Sequence, residues 1–295
     1  QTCALPIFTD HVLSRALPGE LLTLRLVGEI SDFVRFNRGL VRQPGTVDQR
    51  VVTLRLVRDG RQATAERTLS GGDADFAVLD AALTDLRARL PLLPADPQLN
   101  LATGTAPSST TAPDTLPPTE EMVATILDLA AGLDLVGILA AGSMVTGYAT
   151  SDGQRHWYES RSFNLEWCLY LHGNTAVKSG YAGATWDPAE LRARMAAARR
   201  DLAVLGRPMK TLTPGQYRTW LTPSAVNELL GLANGWGGFS ARAIRTSQSP
   251  LLGLWEGRDR FSPLLTITEN AAGGVAPRFD EEGWIRPDQI GRAHV

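Results

Sequence analysis

Leu22, Leu24 and Leu26 alternate with Thr23 and Arg25, the period-two signature of a strand with one buried face. A second strand is predicted over 32–41, where Phe33, Val34 and Phe36 are broken by Arg35 and Asn37. Residues 51–57 alternate again. Asp59-Gly60 then marks a two-residue hairpin turn, because both residue types accept positive φ. The return strand runs over 62–69 and is broken by Gly71-Gly72. Beyond that break Phe76, Leu79, Leu83, Leu86 and Leu90 recur at three-four spacing. That spacing predicts a helix over about 76–90, capped by Asp73 or Asp75.

The stretch 91–118 carries no apolar period; its PLLPADP, Thr/Ser/Ala tract and closing LPP read as an exposed linker. Thr119 opens a helix to about Leu133, with Glu120 and Glu121 complementing its dipole. Residues 135–183 read as an antiparallel meander. Its strands are 136–148, 155–158, 163–171 and 175–181, with Ser151-Asp152-Gly153 as a turn. Pro188 begins a helix that runs to Leu205 and stops at Gly206. A strand over 216–221, a helix from Pro223-Ser224 to Asn234-Gly235 and a strand over 264–268 follow. The chain is thus expected to be α+β: a small N-terminal antiparallel sheet with helices, then a β-rich central and C-terminal region with a few helices. The expected division is an N-terminal domain over 8–90, a linker over 91–118, a central region over 119–206 and the start of a C-terminal domain over 207–288.

Composition narrows the function classes. The 295 residues are 43% hydrophobic and 20% charged, as in ordinary globular proteins. No run approaches the roughly 18 apolar residues of a membrane span. Two cysteines make no disulfide framework. With 29 basic against 31 acidic residues there is no electrostatic footprint for nucleic acid. The two termini stand apart. The opening QTCALPI and the closing IGRAHV are encodable by one short DNA string and its reverse complement, which matches a common sequencing-library adapter. Residues 1–7 and 289–295 are therefore expected to be adapter-derived, which sets aside Cys3 and His294 as chemistry.

Few constellations offer chemistry. Gly142-Ser143-Met144 lacks the second glycine of a nucleophile elbow and does not lead from strand into helix. Cys168, between Trp167 and Leu169, has the apolar context of a structural thiol. His156 and His172 lie on different predicted strands, and neither has a carboxylate one turn away, so a zinc site needs them assembled across the sheet. Gly235-Trp236-Gly237-Gly238 follows a helix instead of opening one and reads as a helix stop, not as a phosphate cradle. Asp280-Glu281-Glu282 reads as a solvated loop, with cation binding as the alternative.

Four segments in order resemble the TldD/PmbA family, the paired subunits of a zinc protease also described as modulators of DNA gyrase. Asp32-Phe33-Val34-Arg35-Phe36-Asn37 through Gln43 is similar to the family's N-terminal strand pair. The turn at Ser151-Asp152-Gly153, the strand over 162–171 and Ser179-Gly180 resemble its central region. Thr213-Pro214-Gly215-Gln216-Tyr217 with Leu221-Thr222-Pro223 and Leu229-Leu230 is similar to the entry to its C-terminal domain. Phe279-Asp280-Glu281-Glu282-Gly283 resembles its F-D-D-E-G signature. Catalytic members carry H-E-x-x-x-H on the helix after the L-x-P strand, with histidines on zinc and the glutamate activating water. Here the register is Asn227-Glu228-Leu229-Leu230-Gly231-Leu232, so Asn227 and Leu232 stand at the histidine places beside Glu228.

The resemblance therefore implies a PmbA/TldE-like, non-catalytic cytoplasmic subunit. It implies no cofactor in this chain, zinc in a TldD-like catalytic partner, and unfolded peptides as the heterodimer's substrates; the charge balance and the lack of a membrane-length apolar run argue against nucleic acid and membrane as partners. Two other readings stand beside it: a divergent metal-dependent hydrolase using His156, His172 and the acids of the 280s, and a β-rich binding or structural protein without catalysis.

Overall fold

A computed structural model describes residues 5–97, 99–102, 107–235, 237–269, 276–286 and 290–294. Side chains are described within these ranges except at 5–7, 232, 234, 269 and 290–294. The chain divides into two compact units, one of Gln1–Met209 with Ala271–Pro287 and one of Lys210–Asn270 with Asp288–Val295.

The first unit is built on four unusually long strands. These are β1 (Leu21–Asn37), β2 (Leu40–Arg58), β5 (Asp134–Thr150) and β6 (Arg155–His172). Shorter strands join them: β3 (Arg61–Thr68), β4 (Ser108–Thr111) and β7 (Thr175–Gly183). The sheet order is β3-β2-β1-β5-β6-β4, with β7 also on β6. All pairs are antiparallel except β4 with β6. Residues from 8–90 and from 119–206 thus share one sheet through the β1–β5 ladder.

The helices α1 (Leu5–Leu13), α2 (Ala74–Arg89), α3 (Thr119–Ala130) and α4 (Pro188–Leu205) pack on one face of this sheet. Alternation makes that face readable: even positions of β1 point to it throughout. Leu22, Leu24 and Leu26 meet α1 and α2 through Val12, Leu79, Leu83 and Leu86. Val34 and Phe36 on the same face belong instead to a second cluster, with Ile126 of α3, Leu191 and Met195 of α4, and Leu165 and Trp167 of β6. Two cores therefore stand end to end on one face.

Local chemistry explains the turns. Arg38 and Gly39 (φ 52° and 70°) close the β1–β2 hairpin, and Asp59 and Gly60 (φ 52° and 69°) close β2–β3, both as the twist-matched turn that needs two positive φ values. The second was legible in sequence. The first corrects the strand expected over 32–41, which reverses at Arg38-Gly39 instead of running through. At Gly39 an added Cβ would stand 2.9 Å from the Leu133 carbonyl oxygen, and its N–H donates to Leu135 O at 3.0 Å. Pro44, in the middle of β2, is tolerated because β3 pairs only with Val51–Arg58 and leaves the rest of that edge open. Leu69 N donates to Arg50 O on the outer side, so by alternation Pro44 also faces outward, where its missing N–H blunts a free edge.

Asp73 caps no N–H of α2. Asp75 does the neighbouring work: its carboxylate accepts from Ser70 N at 3.0 Å and Gly71 N at 2.7 Å, fixing the loop that enters the helix. The Asp187 side chain accepts from Ala189 N at 2.8 Å, and α4 follows with Pro188 at its first position, as the sequence predicts.

The second unit holds α5 (Pro223–Gly235), α6 (Ala241–Arg245), α7 (Leu252–Trp255) and the two-stranded sheet of β8 (Thr266–Glu269) and β9 (Ile290–His294). The strand expected over 216–221 is absent: those residues belong to no helix or strand and are exposed. Among the described residues no helix is long and apolar enough to cross a membrane.

Candidate functional site

The first place to look is α5. Thr222 starts it, its hydroxyl accepting from Ala225 N at 3.2 Å and its carbonyl from Val226 N at 2.9 Å. Asn227 and Glu228 are both exposed on the helix surface, and the side chain of Leu232 lies outside those described. An amide and a single carboxylate are poor partners for zinc, which takes thiolates, imidazoles and carboxylates in sets of three or four. The glycines after the helix are a helix stop. Gly238 N donates to Ala233 O at 2.7 Å, Gly237 has φ 74°, and a Cβ at Gly238 would collide with the Ala233 carbonyl. An N–H spent in this way is not offered to a phosphate. Trp236 of that stretch lies outside the described residues.

The second place is the sheet face opposite the helices. There the segment 276–286 returns and docks over β1, β2, β5 and β6. Phe279 pairs with Ile285, and Asp280 Oδ1 accepts from Glu282 N and Trp284 N, both at 2.9 Å, which shapes a tight turn. Gly283 (φ 83°) lies against Tyr148 so closely that a Cβ would stand 2.2 Å from the ring. Glu282 grips Arg55 with both carboxylate oxygens, one contact at 2.6 Å, and Glu281 meets Arg25 at 3.0 Å. The carboxylate beside it raises the Arg55 guanidinium further above its ordinary range. The acidic run is thus anchored to the sheet: Asp280 shapes the turn, Glu282 grips Arg55, and Glu281, itself largely exposed, meets Arg25.

His156 sits beneath this turn at 5% exposure. Its ring lies nearly parallel to those of Phe279 (5.2 Å, 25°) and Tyr148 (6.3 Å, 21°). Gln154 Nε2 donates to Ala102 O at 2.7 Å, which turns the amide oxygen toward His156 Nε2 at 3.3 Å. That contact sets the proton on Nε2 and leaves Nδ1 to accept from the Ser108 hydroxyl at 2.9 Å. Burial lowers the His156 pKa and keeps the ring neutral. Burial likewise raises the Tyr148 phenol, with the Thr23 hydrogen bond opposing.

With both nitrogens hydrogen-bonded, His156 has no lone pair for a metal. His172 lies sixteen residues along the same continuous strand, about 50 Å away at ~3.3 Å per residue. The two strands predicted over 155–158 and 163–171 are one, so the hydrolase reading that brings both histidines together loses its geometry. Among the described residues no three His, Cys, Asp or Glu side chains converge as a metal site. Ser143 lies on the helix-bearing face, where no imidazole among the described residues reaches it. Cys168, half-buried, faces the other way across from Lys178.

Sequence reasoning missed Arg25, Arg55, Tyr148, Gln154 and Ser108. A signal was there: Arg55 stands between the buried leucines 54 and 56, so it must point from the opposite face, and Arg25 does the same between Leu24 and Leu26.

No protein-family model matches the sequence, and no curated protein is detectably similar to it. Solved structures are. A candidate modulator of a DNA gyrase from Thermotoga maritima superposes with a TM-score of 0.70 at 14% identity, over 95% of this chain and 67% of its own. A candidate modulator of DNA gyrase from Bacteroides thetaiotaomicron gives 0.68 at 16% identity, over 98% of this chain and 68% of its own. TldE from Thermococcus kodakarensis gives 0.64 at 11% identity, over 96% and 66%. The chain spans about two thirds of the length of each. It has the fold of this class. Among these neighbours TldE is the one whose name matches the TldE-type subunit that the sequence resembles.

Proposed function

We propose that this chain is a PmbA/TldE-like, non-catalytic subunit of a TldD/PmbA-type cytoplasmic metalloprotease that acts on unfolded peptides. The observation that carries this reading is the fold shared with TldE over 96% of the chain, at a TM-score of 0.64. The exposed Asn227 and Glu228 of α5 support it, because that helix offers an amide where the resemblance asks for an imidazole. In this reading the zinc belongs to a TldD-like partner, and this chain supplies chamber wall and interface.

The experiment is co-expression with a TldD-like protein carrying H-E-x-x-x-H. A stable complex that cleaves unfolded peptide, loses activity with a chelator and regains it with zinc agrees with the reading. Hydrolysis by this chain alone, with one tightly bound zinc per chain, overturns it in favour of a self-sufficient hydrolase.

A further inference from the structure

Between the two cores, the described residues leave the helix-bearing face of the sheet open. A cavity of about 290 Å³ opens there, floored by β1, β2, β5 and β6 and walled by Leu116, Pro117 and Met122. Its floor is a belt in register across four strands. One row is Arg50, Gly28, Val145 and Glu159, and the next is Asp48, Ile30, Ser143 and Arg161. The belt breaks the hydrophobic alternation of every strand it crosses, although the strands continue through it. Ile30, 45% exposed, stands in its middle.

The charges sit at opposite sides. Arg50 is held by one contact to Asp48 at 2.9 Å, and the rest of its guanidinium has no other ion pair among the described residues. Arg161 pairs with Asp114. The Glu159 carboxylate has no hydrogen bond or ion pair among the described residues. Asp32 is already taken by the hydroxyls of Thr46 (2.8 Å) and Thr119 (2.9 Å).

We propose that this belt binds a short peptide with free termini, its ammonium at Glu159 and its carboxylate at Arg50. Three strand spacings separate those two positions, about 14 Å between Cα atoms at ~4.8 Å each. With each side chain reaching inward by a few Å, a ligand of roughly 7–10 Å is needed. That is the extended length of two or three residues at ~3.3 Å each, whereas a single amino acid cannot touch both ends. Ile30 and Val145 offer apolar contact to the side chains between the termini, and the Ser143 hydroxyl is a hydrogen-bonding group on the same floor. This goes beyond the subunit reading. Its test uses the chain without partner or zinc, so either idea can fail while the other stands.

The test is calorimetric titration with trialanine, N-acetyl-trialanine and trialanine amide. The free peptide is expected to saturate one site, and blocking either end is expected to weaken binding about tenfold. Glu159→Gln removes the penalty of acetylation while the penalty of amidation remains. Arg50→Gln does the reverse. Among the described residues the Glu159 carboxylate has no partner to lose, so its variant is expected to keep the fold and decides the matter even if Arg50→Gln unfolds. No saturable binding, or capping penalties untouched by Glu159→Gln, would overturn the proposal.

Discussion

The contact between Arg55 and Glu282 joins residues 227 apart in sequence and fastens the returning turn to the sheet. Its strength follows from its surroundings. Arg55 is 19% exposed and Glu282 41%, so water screens the carboxylate but much less the guanidinium. A fully exposed pair contributes about 0.2–1 kcal/mol. Two-pronged geometry on a half-buried arginine raises the expected coupling to about 1–2 kcal/mol. Glu282→Ala costs somewhat more, about 2 kcal/mol, because it leaves guanidinium donors desolvated without an acceptor. In a unit of this size that lowers Tm by about 4–8 °C. A double-mutant cycle with Arg55→Ala, Glu282→Ala and the pair, followed by denaturant unfolding, isolates the coupling. It should shrink with added salt. A coupling below about 0.3 kcal/mol would refute the reasoning and leave the turn held by Phe279 and the Glu281–Arg25 contact.

Three further outcomes are expected. Gly39→Ala should destabilise by about 1–3 kcal/mol in chemical denaturation, since it combines positive φ with a 2.9 Å approach to Leu133 O; an unchanged midpoint would contradict the turn described. Ile126→Ala, at a fully buried position in the second core, should cost about 2–5 kcal/mol and leave the far-UV spectrum native. For His156 the folded pKa is lowered by burial, so the unfolded chain takes up the proton first as pH falls. Its contribution is intact above the unfolded value of about 6.5 and is lost progressively below it. Melting at pH 7.5 and pH 5.5 should therefore show a larger drop for the wild type than for His156→Gln, and equal drops would be inconsistent with a buried neutral ring.

Much of the fold was legible where alternation meets a core. Leu22 to Leu26 face α1 and α2, 163–171 faces α3 and α4, and α4 keeps the bounds its proline and glycine predict. What the sequence concealed lies mostly along one belt. Strand β1 was divided around residues 27–31, β6 around 159–162, and β2 was recognised only from 51 onward. The gaps of β1 and β2 pair directly, Gly28 with Arg50, and β5, which was recognised throughout this stretch, links them to the gap in β6 through Val145 and Glu159. Periodicity fails there because no helix among the described residues covers the floor, so burial imposes no apolar side chain; the backbone ladder carries the strands across regardless. The docked acids were concealed for another reason. Glu281 and Glu282 meet Arg25 and Arg55 only after the chain has passed through the second unit and returned, and no local pattern records so distant a pairing. For α5, only the resemblance gave Asn227, Glu228 and Leu232 a meaning.

The proposed role makes this polypeptide act through a partner's zinc. The most direct measurement is metal content and peptide cleavage for the purified chain, for a TldD-like protein and for the two together. The account predicts no stoichiometric zinc and no cleavage in the first, with chelator-sensitive cleavage of unfolded peptide when both are present. Zinc at one per chain and turnover in the first sample alone would contradict it.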